Sequence, residues 1–119
     1  MGDDILRFHT VAALTAAADK WAWLVTRNCY IIDVIIVSKT AGSGGVSDIA
    51  DVNINGTTIY TTQGNRPTLL VGDTGLWTEA AEPEVVSLVT GDVVSVDIDQ
   101  IATTGSAKVS FSIILGIAR

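Results

Sequence analysis

Very little in this chain is equipped for covalent chemistry. One Cys, one His and one Met stand among 119 residues. A lone Cys29 excludes an intrachain disulfide, and with only the distant His9 for company it builds no zinc site, which takes four clustered ligands. Cys29 therefore reads as a small core residue at the start of an apolar run. Acyl transfer by a triad needs a nucleophile, a His and an orienting acid. His9 falls in an expected N-terminal strand, and the chain has no G-x-S-x-G elbow for it to serve. Charge is scarce as well, at 17% of residues against ~25% in an average soluble domain. Arg7, Lys20, Arg27, Lys39, Arg66, Lys108 and Arg119 are scattered along the sequence. Nucleic-acid binding draws on clustered Lys and Arg that neutralise phosphates, so no nucleic-acid partner is expected. Long apolar runs are missing too. The longest, Tyr30–Val37, is interrupted by Asp33 and falls far short of the ~18 residues of a membrane helix. The chain opens on Asp3 and Asp4 rather than on a basic segment followed by an apolar one. Neither a membrane partner nor a secretory signal is expected.

What is present is apolar content in short pieces. Hydrophobic residues make up 48% of the chain and the formal net charge is -6; mean hydropathy is +0.44. A chain of this length makes one domain, burying roughly two-thirds of the surface that its unfolded form exposes. So much apolar surface and so little charge imply that neighbouring protein covers the excess, as an oligomer or a lattice partner.

The pattern is of strands throughout. In "AKVSFSIILG", Val109, Phe111, Ile113 and Leu115 fall on one face and Lys108, Ser110 and Ser112 on the other. In "GDVVSVDIDQI", Val94, Val96 and Ile98 point inward and Ser95, Asp97 and Asp99 outward, with "ATTGSA" reading as a hairpin loop between the two strands. Asn55-Gly56 is a preferred type I′ pair, because both central residues take positive φ. It sets Ile54 opposite Thr57, Val52 opposite Ile59, Asn53 opposite Thr58 and Asp51 opposite Tyr60, so turn chemistry and binary pattern agree. "KWAWLVT" and "CYIIDVIIVSK" read as strands around an Arg27-Asn28 turn. In the second, Tyr30, Ile32, Val34 and Ile36 share one face, and Ile31, Asp33, Ile35 and Val37 share the other. A strand apolar on both faces lies within a stack or at a subunit boundary. "FHTV", "TLLV" and residues 84–90 supply further strands, "AALTAAAD" a loop or arm, and "TAGSGG" a flexible connector. Residues 1–19 read as an N-terminal strand and arm, and residues 20–119 as the body of an all-β, antiparallel, jelly-roll-like β-sandwich. Together they make a single domain.

No catalytic, cofactor-binding or metal-ligating residues emerge. Asp97 and Asp99 share a strand face about 7 Å apart. That spacing would suit a glycosidase pair, or a calcium site completed by Asp51 or Asn53. Solvated outward carboxylates are the commoner meaning of the pattern, and they discourage edge pairing. "GSGG" lacks the Gly-Lys-Ser/Thr of a phosphate loop and reads as a hinge. Asn55-Gly56-Thr57 matches a glycosylation triplet that the hairpin already explains. Trp21, Trp23 and Trp77 are the side chains best suited to binding. Trp21 and Trp23 share a face, and a stacked pair would hold a sugar ring. Core burial or subunit contact outweighs that, since an exposed platform would enlarge an already apolar surface. Trp21, Trp23, Ile31, Ile35 and Trp77 are the candidate subunit or partner contacts.

"NINGTTIYTTQGNRPTL" and "GDVVSVDIDQIATTGSAKVSFSIILG" resemble segments of a small β-sandwich module of tailed-bacteriophage structural proteins. Its pattern runs Asn-Gly-Thr-Thr-Ile, then a Thr-Gln-x-Asn-Arg-Pro-Thr loop, then Gly-Asp and an alternating Asp-rich strand. "FHTVAALTAAADKWAW" and "RNCYIIDV" are similar to its opening strands more loosely. The resemblance implies a virion component with a jelly-roll-like sandwich. Because the module spans essentially this whole chain, it implies a free-standing capsid decoration (cement) protein, a homotrimer bound to the major capsid protein on the outer surface of the head. The alternative is a tail-fibre or receptor-binding module that recognises a host glycan.

Overall fold

The computed structural model describes residues 4–69, 77–79 and 83–117. Ten strands follow in chain order: β1 Asp4–Thr10, β2 Ala17–Leu24, β3 Cys29–Thr40, β4 Asp48–Ile54, β5 Thr57–Thr58, β6 Thr68–Leu69, β7 Trp77–Glu79, β8 Ser87–Leu88, β9 Val93–Gln100 and β10 Ala107–Ile117. They form two five-stranded antiparallel sheets. Sheet A runs β1-β10-β3-β7, with β8 also on β3; sheet B runs β2-β9-β4-β5, with β6 also on β4. The pairing is nested: first strand with last, second with ninth, third with eighth. A long hairpin wound across two layers gives this order, which is that of a jelly roll. The chain is an all-β sandwich of one domain, with β1 paired to β10 in sheet A.

Inward residues of both sheets make one core. Val109, Phe111, Ile113 and Leu115 of β10 face Val94, Val96 and Ile98 of β9, all buried as their alternation predicts. Alternation says that a strand has one dry face, but not which sheet it joins. Here β9 and β10 lie in opposite layers. "ATTGSA" is therefore a crossover between sheets, not a hairpin loop. The Asn55-Gly56 turn is as expected, with φ of 51° and 85°. It pairs Asn53 with Thr58 and Ile54 with Thr57, and the Ile59 N–H donates to the Val52 carbonyl at 2.9 Å. Beyond Ile59 the chain leaves the sheet, so Tyr60 turns into the core instead of facing Asp51 on the polar side.

Strand β3 departs from simple alternation. Its register against β10 shifts between Ile114 and Leu115, so that Asp33 pairs with Ile114 but Ile31 with Leu115. This bulge adds a residue and reverses the faces. Cys29 and Ile31 point in before it; Val34, Ile36 and Ser38 point in after it. The doubly apolar look of Tyr30–Val37 thus comes from a strand that changes parity. Tyr30 and Ile32 are exposed, not grouped with Val34 and Ile36.

The Gly-rich 40–45 connector is clamped rather than flexible. Ser43 N–H donates to the Thr104 carbonyl, Thr104 N–H to the Ser43 carbonyl and Thr103 N–H to the Gly44 carbonyl, each at 2.9 Å. Gly42 is needed because a Cβ there would lie 2.7 Å from the Thr104 carbonyl oxygen. Beneath this clamp, Asp48 is only 2% exposed. Its carboxylate accepts the N–H groups of Ala102 and Ser106, both at 2.8 Å. Ser106 then accepts the Gly42 N–H on its hydroxyl at 3.0 Å, and its carbonyl accepts the Leu14 N–H at 2.8 Å. One buried carboxylate joins three crossover loops at this end of the sandwich.

Candidate functional site

The candidate residues fall in three settings. Trp21 and Trp23 pair with Val96 and Val94 and so share the inner side of β2, as their spacing predicts. Both are half-buried and pack against the core. The Trp21 ring lies 5.5 Å from that of Phe8 at an interplanar angle of 13°. It is 6.3 Å from Phe111, with Lys20 Nζ 5.4 Å from its centroid. Phe8 belongs to sheet A and Trp21 to sheet B, so their stack closes the open side of the sandwich between edge strands β1 and β2. Ile31 is in the core at 3% exposure, where the chain itself covers it. Ile35 is half-buried beside Ser112 on the outer face of sheet A. The backbone of Trp77 pairs with Val37; its side chain lies outside the described residues.

The carboxylates of sheet B are each held by a neighbour. Asp97 accepts the Asp19 N–H and the Asn53 amide, both at 2.7 Å. Asp19 supplies its N–H from an irregularity in β2, where its φ is 50° and the register against β9 shifts. Asp99 is ion-paired to Arg66 at 2.9 Å, and the Arg66 Nε donates to the Gln63 carbonyl at 2.8 Å. The "QGNRPT" loop is therefore latched onto the strand that follows it in the resemblance. Asp51 stands opposite Asp97, and it accepts the Thr58 hydroxyl at 2.6 Å. Burial above all raises the Asp51 carboxyl from its ordinary range, and the nearby Asp99 charge adds to this. The Thr58 hydrogen bond, the Val52 N–H and Arg66 oppose it. Hydrolysis by two carboxylates requires both to reach a substrate, whereas these are engaged in holding strands and a loop. Among the described residues, no group of three or more His, Cys, Asp and Glu is placed to hold a metal ion.

The far end is tied in the same manner. Asn55 donates to Asp92 at 3.0 Å and accepts the Val93 N–H at 2.9 Å. Asp92 also accepts the Val89 N–H at 3.0 Å. Glu84 accepts the Thr61 hydroxyl and the Thr62 N–H, each at 2.8 Å. These bonds hold both carboxyls below their ordinary values.

The outer face of sheet A has none of this closure. Ile5, Tyr30, Ile32 and Val37 are 45%, 44%, 42% and 37% exposed, with half-buried Ile35 and Ile114 between them. Tyr30 lies flat across Gly116, where any Cβ would collide with its ring. Of the two β3 residues expected at a contact surface, Ile35 lies on this face and Ile31 lies in the core, because the bulge reverses parity between them. Sequence reasoning also missed Asp48, whose one visible signal is an acid just after a Gly-rich loop and just before an apolar strand.

No protein-family model matches the chain, and no curated protein matches it.

Proposed function

We propose that this chain is a non-enzymatic structural protein of a tailed-phage virion. In this reading it is a decoration protein that sits as a homotrimer on the outer surface of the head and stabilises it by bridging subunits of the major capsid protein. The observation that carries the reading is the outer face of sheet A. Four large apolar side chains there keep 37% to 45% of their area in water, on a sandwich whose inner faces are already filled. Apolar patches of this kind mark protein contact sites. The resemblance carried by residues 53–69 and 91–116 supplies the class of partner, and those segments are a latched loop and two central strands.

Such a protein acts by adding contact area across junctions between capsid subunits. Expanding or rupturing the shell then requires that area to be exposed again, at ~25 cal/mol per Å² of apolar surface. Only the surplus over the cost of association stabilises, but a small surplus repeated over a closed shell is large in sum. The net charge of -6 suits a soluble outer layer that does not compete for packaged DNA. Two measurements test the reading. Sedimentation equilibrium of the purified chain is expected to give a trimer mass. Co-sedimentation with expanded, decoration-free heads of the phage that encodes the chain is expected to show saturable binding. A chain that stays monomeric at high concentration and ignores those heads would overturn it.

A further inference from the structure

The basic residues that are scattered in sequence are not scattered in space. Arg7 pairs with Ser112 and His9 with Ser110 across β1 and β10. Val37 pairs with the other side of Ser110, and Thr40 with Ala107, across β10 and β3. Lys39 and Lys108 lie between the pairs Ser38–Val109 and Thr40–Ala107, and so next to each other beyond Ser110, with Lys108 at a φ of 52°. Three of the chain's seven Lys and Arg residues therefore occupy one half of the outer face of sheet A, within about 13 Å along the strands. His9 lies between them, and Arg7, His9, Lys39 and Lys108 are all exposed. No carboxylate occurs in the same stretches of these strands, Arg7–Thr10, Ala107–Ser112 and Ile35–Thr40. The nearest acids in the sheet are Asp33, the register partner of Ile114, and Glu79, the register partner of Ile35. Arg66–Asp99 is the ion pair among the described residues, and none of these three cations has an acidic partner among them. On a protein of net charge -6, this is a local reversal of sign.

We infer that this half-face is the seat on the shell, and that its partner is an acidic protein surface with apolar side chains beside its carboxylates. The inference rests on the decoration reading and names the docking face within it. Charge complementarity selects an acidic partner. The adjoining apolar row of Ile35 and Val37, with Ile5, Ile32 and Tyr30 beyond, selects protein over a bare polyanion. Nucleic acid presents phosphates without apolar patches, and the acidic remainder of the molecule repels it.

The test uses the full chain and the same decoration-free heads. R7Q/K39Q/K108Q is compared with wild type and with K20Q/R27Q, which removes positive charge away from this face. Circular dichroism and thermal melting establish that each variant is folded. The triple variant is expected to bind heads about tenfold more weakly or worse, the scale that three exposed ion pairs reach together. Wild-type binding is expected to weaken with added salt, and K20Q/R27Q to bind as wild type does. Wild-type binding that the triple variant retains in full would overturn the inference and leave the decoration reading standing. Heads that bind neither protein would remove both. Double-stranded DNA is the second probe: wild-type retention of DNA that the triple variant loses would overturn the choice of a protein partner.

Discussion

The two outer faces of this sandwich are each built from five antiparallel strands and differ in how their side chains are settled. On sheet B nearly every polar group has an answer within the chain: Asn53 to Asp97, Thr58 to Asp51, Arg66 to Asp99. On sheet A, among the described residues, Arg7, Lys39 and Lys108 have no acidic partner, and Ile5, Tyr30 and Ile32 stay exposed. A face whose groups satisfy one another gains little from a partner, because docking must first break what is already made. A face left open loses less on desolvation and gains more on contact. Sheet B is largely closed by its own loops, apart from the exposed pair Leu24 and Val93, whereas the described outer face of sheet A is left open.

Both faces depend on the frame beneath them, and the largest effect expected is its loss. Asp48→Ala strands the N–H groups of Ala102 and Ser106 in a buried setting. The expected cost is about 3 kcal/mol or more, since each buried orphan costs about 1–3. It is read as a drop in the denaturant midpoint. A shift under about 1 kcal/mol would mean that the crossover loops do not need this carboxylate.

Asp97→Ala bears on sheet B alone. It leaves the Asn53 amide and the Asp19 N–H without their acceptor, for an expected loss of about 1–2 kcal/mol, since both sites keep some access to water. If a closed face is a poor docking face, head binding by this variant, once folded, stays as in wild type. A variant of normal stability that no longer binds would reverse the roles assigned to the two sheets.

Asp51 has the opposite sign. Its carboxyl is raised in the folded chain, so the native state holds the extra proton. Its contribution to stability therefore falls as pH rises through the interval between the ordinary value and the folded one, and ionised Asp51 is a liability near neutrality. Glu84 and Asp92, held low, behave in reverse. Their contribution is full above the ordinary carboxyl range and is lost as pH falls through their folded values. Asp51→Asn keeps an acceptor for Thr58 and is expected to raise stability near pH 7 by about 0.5–1 kcal/mol. It should also make the acid limb of the stability curve steeper, because the compensating Asp51 titration is gone. Melting curves from about pH 3 to about pH 7 check both. Equal acid limbs in variant and wild type would show that Asp51 does not titrate differently on folding.

Much of the fold is legible in the sequence, and the limits have physical causes. Val109–Leu115 and Val94–Ile98 alternate because one side of each strand is dry, and both are buried as read. The Asn55-Gly56 turn follows from the positive φ that only a few residues accept. Sheet membership is not legible, since crossovers and hairpins use the same small polar residues; "ATTGSA" illustrates this. Nor is the β3 bulge, which moved Ile31 into the core and Tyr30 and Ile32 out. The basic half-face is least visible of all, because Arg7, Lys39 and Lys108 come from three separate strands and meet only through register.

The smallest stability effect expected belongs to the open face, and that smallness is what distinguishes it. Ile5→Ser and Ile32→Ser remove side chains that are 45% and 42% exposed, from positions where the core does not depend on them. Each is expected to shift folding stability by no more than about 0.5 kcal/mol. If the same substitutions abolish trimer formation or head binding, the apolar area of sheet A is contact surface, and its exposure in the single chain is the state before assembly. If association and head binding survive both changes, sheet A is merely a greasy exterior. The contrast between the faces would then describe how the chain folds and nothing about what it meets. A stability loss well above about 1 kcal/mol would contradict the burial itself, because it would require these side chains to be packed where the sandwich leaves them in water.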